Sequence, residues 1–249
     1  MNEKRFDGKG SLYQNARPGY PAGLMTYLTS QKILVQTAAA ADIGSGTGIF
    51  TRQLAEFVRT VYAVEPNEDM RLKAEAKYGA YPNIISVSGN AEHTSLPDES
   101  VDCITAAQAF HWFDRKAFKT ECRRILRPGG NIVLIWNDRD DESPVIRENL
   151  ALNYRFCPGF KGTSAGISFD PENFRDFFEG EFQVTRFDNT LEYAEEMFVS
   201  RNLSSSYAPQ ENTENYHLYI EHLRKLFGSY ARNGVIEYPY ITRCFVGRV

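Results

Sequence analysis

The sequence predicts an α/β protein built on a doubly wound, mostly parallel sheet. Two observations carry this. Ala41-Asp42-Ile43-Gly44-Ser45-Gly46-Thr47-Gly48 reads as a strand that ends in an acid and turns through three alternate glycines into a helix. From there to Asn137, short apolar strands alternate with helical periods, the pattern of consecutive strand–helix–strand units.

In chain order, Pro21 suits the first turn of a helix whose apolar face is Leu24, Tyr27 and Leu28. Residues 37–42 supply the first strand, although they are mostly alanine and local propensity favours helix. Residues 49–59 form a helix with Phe50, Leu54, Phe57 and Val58 on one face. Strand 60–64 ends in Glu65, and a helix follows over 67–78. A third strand spans 83–88 and a fourth runs from 100 to 107. Asp114 caps a helix that buries Phe118, Cys122 and Ile125 and ends at Pro128-Gly129-Gly130, before strand 131–136.

After Asn137 the pattern loosens. A polar break at 138–144 leads to a helix from Pro144 to about Phe156, a glycine-rich loop over 157–168 and a short helix from Pro171 through Phe178. Residues 182–193 and 235–249 read as two late strands forming an antiparallel edge. Residues 194–232 are helical, broken near Ser204-Ser205-Ser206. The expectation is one domain over 1–249, with 138–168 and 194–232 lying as a substrate cap over the C-terminal ends of the strands.

The glycine spacing restricts the ligand. A dinucleotide fingerprint G-x-G-x-x-G fails in both frames, because Ile49 or Thr51 stands where the third glycine belongs. No G-x-x-x-x-G-K-S/T is present either. An acid followed by G-x-G-x-G resembles the first motif of the class I S-adenosylmethionine-dependent methyltransferases. Glu65 stands at the tip of the second strand, where a carboxylate can accept hydrogen bonds from both ribose hydroxyls. Pro66 to Met70 is similar to the family's adenine-side turn, and Gly89-Asn90-Ala91-Glu92 to its adenine contacts. Tyr13-Gln14-Asn15-Ala16-Arg17-Pro18-Gly19-Tyr20-Pro21 resembles the lead-in of the small-molecule group near trans-aconitate methyltransferase.

The resemblance implies a seven-stranded sheet and S-adenosylmethionine as cofactor. It would be held by Tyr13, Arg17, Asp42, Gly44, Ser45, Gly46, Thr47, Gly48, Glu65, Pro66, Met70, Asn90, Ala91, Glu92, Gln108 and Ala109. Arg17 would pair with its carboxylate, and the N-terminal segment would close over the site. Phe110, His111, Trp112, Phe113, Trp136 and Asn137 would line the substrate pocket, with His111 a candidate base for a hydroxyl or amine acceptor. Carboxylate, hydroxyl, amine and carbon acceptors stay open.

Other classes are weighed against this. The loop after strand four, Gln108-Ala109-Phe110-His111, lacks the paired prolines of amino-group methylation of DNA bases or glutamine, and Cys157-Pro158 has the reverse order of a cytosine-methylating cysteine. Net charge is −4 and no basic patch announces nucleic acid. There is no apolar run of membrane-spanning length and no signal-peptide core. Four scattered cysteines fit small hydrophobes in a reducing cytoplasm, and neither they nor the four histidines show metal-ligand spacing. A nicotinamide oxidoreductase, disfavoured by the glycine spacing, and a cofactor-binding regulator without turnover remain alternatives.

Overall fold

A computed structural model describes residues 19–162, 168–205 and 207–249. Helix α1 (Ala22–Ser30) leads into β1 (Ala39–Ile43), α2 (Ile49–Ala55), β2 (Thr60–Val64), α3 (Glu68–Glu75), β3 (Ile84–Val87) and β4 (Val101–Ala107). Then follow α4 (Arg115–Ile125), β5 (Leu126–Arg139), α5 (Pro144–Phe156), β6 (Glu179–Asp188), β7 (Leu191–Tyr193), α6 (Glu195–Leu203), α7 (Glu214–Tyr230), β8 (Ile236–Tyr238) and β9 (Tyr240–Arg248).

Seven strands form one sheet in the order β3-β2-β1-β4-β5-β9-β6, and only β9 runs against the others. Alternate residues of each strand face opposite layers. Ile132, Leu134, Trp136 and Phe245 pack with α4 and the phenylalanines at 174, 177 and 178. Val133, Ile135, Cys244 and Val246 pack with α1 and α2 on the other face. The alanine-rich β1 is a strand because it lies between β2 and β4, buried on both faces, where the sheet's hydrogen bonds override alanine's helical preference.

Three expected boundaries shift. Helix α2 stops at Ala55, and Phe57 and Val58 lie in the turn to β2. Helix α4 stops at Ile125, so Pro128-Gly129-Gly130 does not end it. Leu126 already pairs with Val101, and the ladder resumes, shifted, at Asn131 opposite Cys103. Each late strand is two. The β6–β9 register, with Asp188 opposite Ile241, continues unslipped into a two-stranded sheet with Leu191 opposite Tyr238. The interruption falls at Pro239, which has no N–H to give the ladder.

Helices α5, α6 and α7 with β7 and β8 enclose a core of their own, built on Ile146, Phe198, Tyr219, Leu223 and Tyr238. All four cysteines are buried and unpaired. Among the described residues no helix is long and apolar enough to cross a membrane.

Candidate active site

The chemistry-bearing residues gather where β1, β2, β4 and β5 end. β1 delivers the chain into the glycine turn, where Gly44 and Ser45 donate their N–H groups to the Val64 carbonyl at 2.9 and 3.1 Å. Gly44, Gly46 and Gly48 all have positive φ, which an L side chain resists. Their surroundings differ. A Cβ on Gly44 would come within 2.6 Å of the Ala109 Cβ, and one on Gly48 within 2.6 Å of the Tyr78 ring. On Gly46 it would meet nothing nearer than the Met70 sulfur, at 3.9 Å. The outer glycines thus serve close packing, and the middle one has no close neighbour among the described residues.

Glu65, buried at the end of β2, holds this turn. One carboxylate oxygen accepts the Gly46 N–H at 2.8 Å and the other the Asn67 N–H at 2.9 Å. Asn67 caps α3 by accepting the Met70 N–H at 2.9 Å, which brings Met70 beneath the turn. Pro66 lies half-buried between them. Thr47 Oγ1 is buried with no hydrogen-bond partner among the described residues, so the turn holds a polar atom that a ligand could satisfy.

Asp42 is corrected from a ligand contact to an internal support. It is 1% exposed and accepts hydrogen bonds from Thr51 Oγ1 at 2.6 Å and Thr105 Oγ1 at 2.9 Å, tying β1 to α2 and β4. Burial raises its pKa from 3.8 to about 6 although both threonines pull it down, and Glu65 adds to the rise. The native state therefore binds more protons than the unfolded chain between those values. The stabilisation is complete below pH 3.8 and is lost as pH rises through about 6. It amounts to at most roughly 3 kcal/mol. The gap in unfolding free energy between wild type and Asp42→Asn, followed by urea denaturation, should therefore change between about pH 4.5 and 7 in favour of wild type at the acid end. A gap that is the same at both values would mean that Asp42 titrates normally.

Asn90 and Ala91 follow β3. Asn90 Oδ1 accepts the His93 N–H at 2.7 Å, and Ala91 is buried in the core. Glu92 accepts the Asp114 N–H at 2.8 Å, joining this loop to the start of α4. Past β4, Gln108 adopts a φ of 55° and donates from Nε2 to the Asn137 carbonyl at 2.7 Å. This turns Ala109 and Phe113 against Gly44.

Of the expected pocket residues, His111, Trp112 and Phe113 are half-buried at this end of the sheet. Phe110 and Trp136 are not exposed at all. They pack on each other and on Phe174 at ring separations of 5.6–6.3 Å, so they are core and not pocket wall. The Trp136 indole N–H points at His111 Nδ1, 3.4 Å away. A neutral histidine accepting there carries its proton on Nε2 and is a donor on that side, so a base role would require Nδ1 to be released.

Asn137 is a buried junction. Its Oδ1 accepts from Thr242 Oγ1 at 2.6 Å and Asn189 Nδ2 at 3.1 Å, and its Nδ2 donates to the Gly19 carbonyl at 3.0 Å. Gln53 exchanges two further bonds with the backbone of Tyr20. The chain arriving from the N-terminus is thus pinned beside the site. Tyr13 and Arg17 lie outside the described residues. Thr51, Thr105, Gln53, Asn189 and Thr242 were not singled out from the sequence. Each is an ordinary polar residue whose partner lies 33 or more positions away in four of the five cases, and no local signal marks them.

A glycine turn held by a second-strand carboxylate at the open end of such a sheet is the arrangement in which α/β proteins bind nucleosides. The methyltransferase domain family matches residues 41–134. A methyltransferase-like protein of Schizosaccharomyces pombe is 29% identical over 97% of this chain and 94% of its own length. An uncharacterized methyltransferase of Mycobacterium tuberculosis is 36% identical, but over only 57% of this chain and 56% of the relative. A provisionally named type II methyltransferase from Anaeromyxobacter dehalogenans superposes with a TM-score of 0.68 at 23% identity, covering 93% of this chain and 97% of that one. The S-adenosylmethionine-dependent methyltransferase of Geobacter sulfurreducens, solved with S-adenosyl-L-homocysteine, gives 0.55 at 15% identity, covering 98% of both chains. Over residues 41–134, from the glycine turn into β5, the chain is thus similar to the methyltransferase domain family, and over its whole length its fold is that of the solved methyltransferases.

Proposed function

We propose that this protein transfers the methyl group of S-adenosylmethionine to a small molecule. The observation that carries the reading is Glu65, whose carboxylate braces the Gly46 N–H from the end of β2, at the one glycine of the turn where a Cβ would make no close contact with the described residues. The adenosine would lie there, its ribose on Glu65, with Met70 and the Asn90–Glu92 loop toward the base. The unsatisfied Thr47 hydroxyl supports a polar ligand at the same turn. When bound, S-adenosylmethionine supplies a methyl group on a sulfonium centre, a leaving group good enough for direct in-line displacement. The protein's part is then to orient the acceptor and exclude water. His111, Trp112 and Phe113, half-buried beyond the end of β4, would do so. Residues 138–168 and 194–232 supply the cap in this reading, within a single domain, and Tyr13 and Arg17 would approach from the segment that Asn137 and Gln53 pin.

Net charge of −4 and the absence of a proline-pair loop support a small molecule over nucleic acid. The buried, unpaired thiols fit a reducing, cytoplasmic setting. Calorimetry should show binding of S-adenosylmethionine and S-adenosylhomocysteine, and a mass-detected screen over small acids, phenols and amines should find a methylated product. Comparable or tighter binding of NAD would sink the cofactor assignment. Cofactor binding with no product from any acceptor would favour a regulator without turnover.

A further inference from the structure

Five described residues other than glycine have a positive φ: Lys32, Ser95, Glu99, Gln108 and Asn233. Four of them lie in turns or loops, and none of those four makes a side-chain hydrogen bond to a described residue. Gln108 differs on both counts. The chain leaves β4 at this residue, at the C-terminal end of the sheet, with a φ of 55°. A glutamine meets a steric cost there that glycine avoids.

The hydrogen bonds show how it is held. Along a parallel pair, alternate residues of one strand bond to the next strand at even spacing. The Gln108 N–H donates to the Ile135 carbonyl at 2.8 Å. In a continued ladder the next rung would run from the Phe110 N–H to the Asn137 carbonyl. The chain has turned away by then, and the Phe110 ring packs in the core on Phe174 and Phe177. The Gln108 side chain takes that rung instead, its Nε2 donating to the Asn137 carbonyl at 2.7 Å. A side chain completes the ladder while the backbone leaves the sheet.

The backbone leaves toward the glycine turn. A Cβ on Gly44 would stand 2.6 Å from the Ala109 Cβ and 3.3 Å from the Phe113 ring. Gly44 is thus the glycine on the β4 side, whereas the Gly46 N–H bonds to Glu65 at the end of β2. Across the strand ends the order is Glu65, Gly46, Gly44, Ala109 and then the Gln108–Asn137 rung. The strand order reverses between β1 and β4, the place where such sheets bind ligands.

We propose that Gln108 is a positioning residue for the amino-acid end of the cofactor. This rests on the reading of the chain as an S-adenosylmethionine-dependent methyltransferase with the ribose on Glu65. The strained backbone aims the chain at the glycine turn and the side-chain rung keeps it there. Ala109 and Phe113 then form a fixed wall on the side away from the ribose. Gln108 acts through that wall and does not touch the ligand.

The test compares wild type with Gln108→Met, which removes the rung and keeps the strain, and Gln108→Gly, which removes both. In calorimetry each variant should bind S-adenosylhomocysteine at least tenfold more weakly. Affinity for 5′-methylthioadenosine, which lacks the amino-acid end, should stay within twofold. Gln108→Gly should melt at a higher temperature than Gln108→Met, because glycine takes a positive φ without steric cost. A glutamine that only supports the fold predicts otherwise: the more stable Gln108→Gly would recover its affinity, and both ligands would weaken together. S-adenosylhomocysteine affinity within twofold of wild type in Gln108→Gly overturns the proposal, and that variant decides alone if Gln108→Met does not fold. Ala109→Gly removes the side chain of the wall, so on that background Gln108→Gly should cost less affinity than it does in the wild type. Losses that simply multiply would mean that Gln108 touches the ligand itself, which overturns the positioning role. A wild type that does not bind S-adenosylhomocysteine defeats the cofactor reading and this proposal with it, whereas binding that the variants leave unchanged defeats the proposal alone.

Discussion

Gly44→Ala is expected to destabilise the protein by about 2–5 kcal/mol and to abolish cofactor binding. The backbone there has a φ of +70°, where an L side chain costs about 1–2 kcal/mol. The new methyl would also meet the Ala109 Cβ at 2.6 Å and the Phe113 ring at 3.3 Å. A Cβ has no rotamer with which to withdraw, so β1 and β4 must separate at the site. Overpacking of this kind costs about 1–3 kcal/mol more. Adding Ala109→Gly should restore the steric part and leave the conformational part, so the double variant should be more stable than Gly44→Ala alone. Urea midpoints of the four proteins measure this directly. Equal losses in the single and double variants would show that the contact with Ala109 is not what excludes a side chain.

Glu65→Ala should weaken S-adenosylhomocysteine binding by at least tenfold with the fold intact. The carboxylate braces two backbone N–H groups, one of them in the glycine turn, and in the proposed reading it also accepts from the ribose. Hydrogen bonds to a charged group contribute about 1.5–3 kcal/mol each, so losing even one ribose contact accounts for a tenfold change. Glu65→Gln, which preserves the shape but presents an N–H₂ to donors it should accept from, should fall between wild type and Glu65→Ala. Calorimetric titration of the three proteins, with circular dichroism as the check on folding, decides it. An unchanged affinity in Glu65→Ala would move the ribose elsewhere.

How far these sites were legible depends on the range of the interactions that make them. Strand Thr60–Val64 and helix Pro144–Phe156 were read from the sequence with the bounds they have, because an apolar run closed by an acid and a proline at a helix start are local signals. The glycine turn was legible for the same reason, since positive φ is a property of the residue itself. The alanines of β1 were legible only through the motif that follows them. Pro128-Gly129-Gly130 misled as a helix stop because it interrupts a strand whose flanks, Leu126 and Asn131, pair with β4 some 25 residues back.

The sequence by itself determined the class of sheet, the glycine turn and the position of an acid at the tip of β2, which follow from backbone conformation and periodicity within about 25 residues. Only the tertiary structure decided what the side chains do. It turned Asp42 inward to Thr105, drew Phe110 and Trp136 into the core and set the Trp136 indole against His111. It also brought Arg139 and Arg201 into one interior, although nothing in the polar stretch around Arg139 distinguishes a buried cation from a solvated one. These outcomes depend on which distant partner the topology delivers, and burial changes the energy of a charge far more than that of the methylenes that carry it.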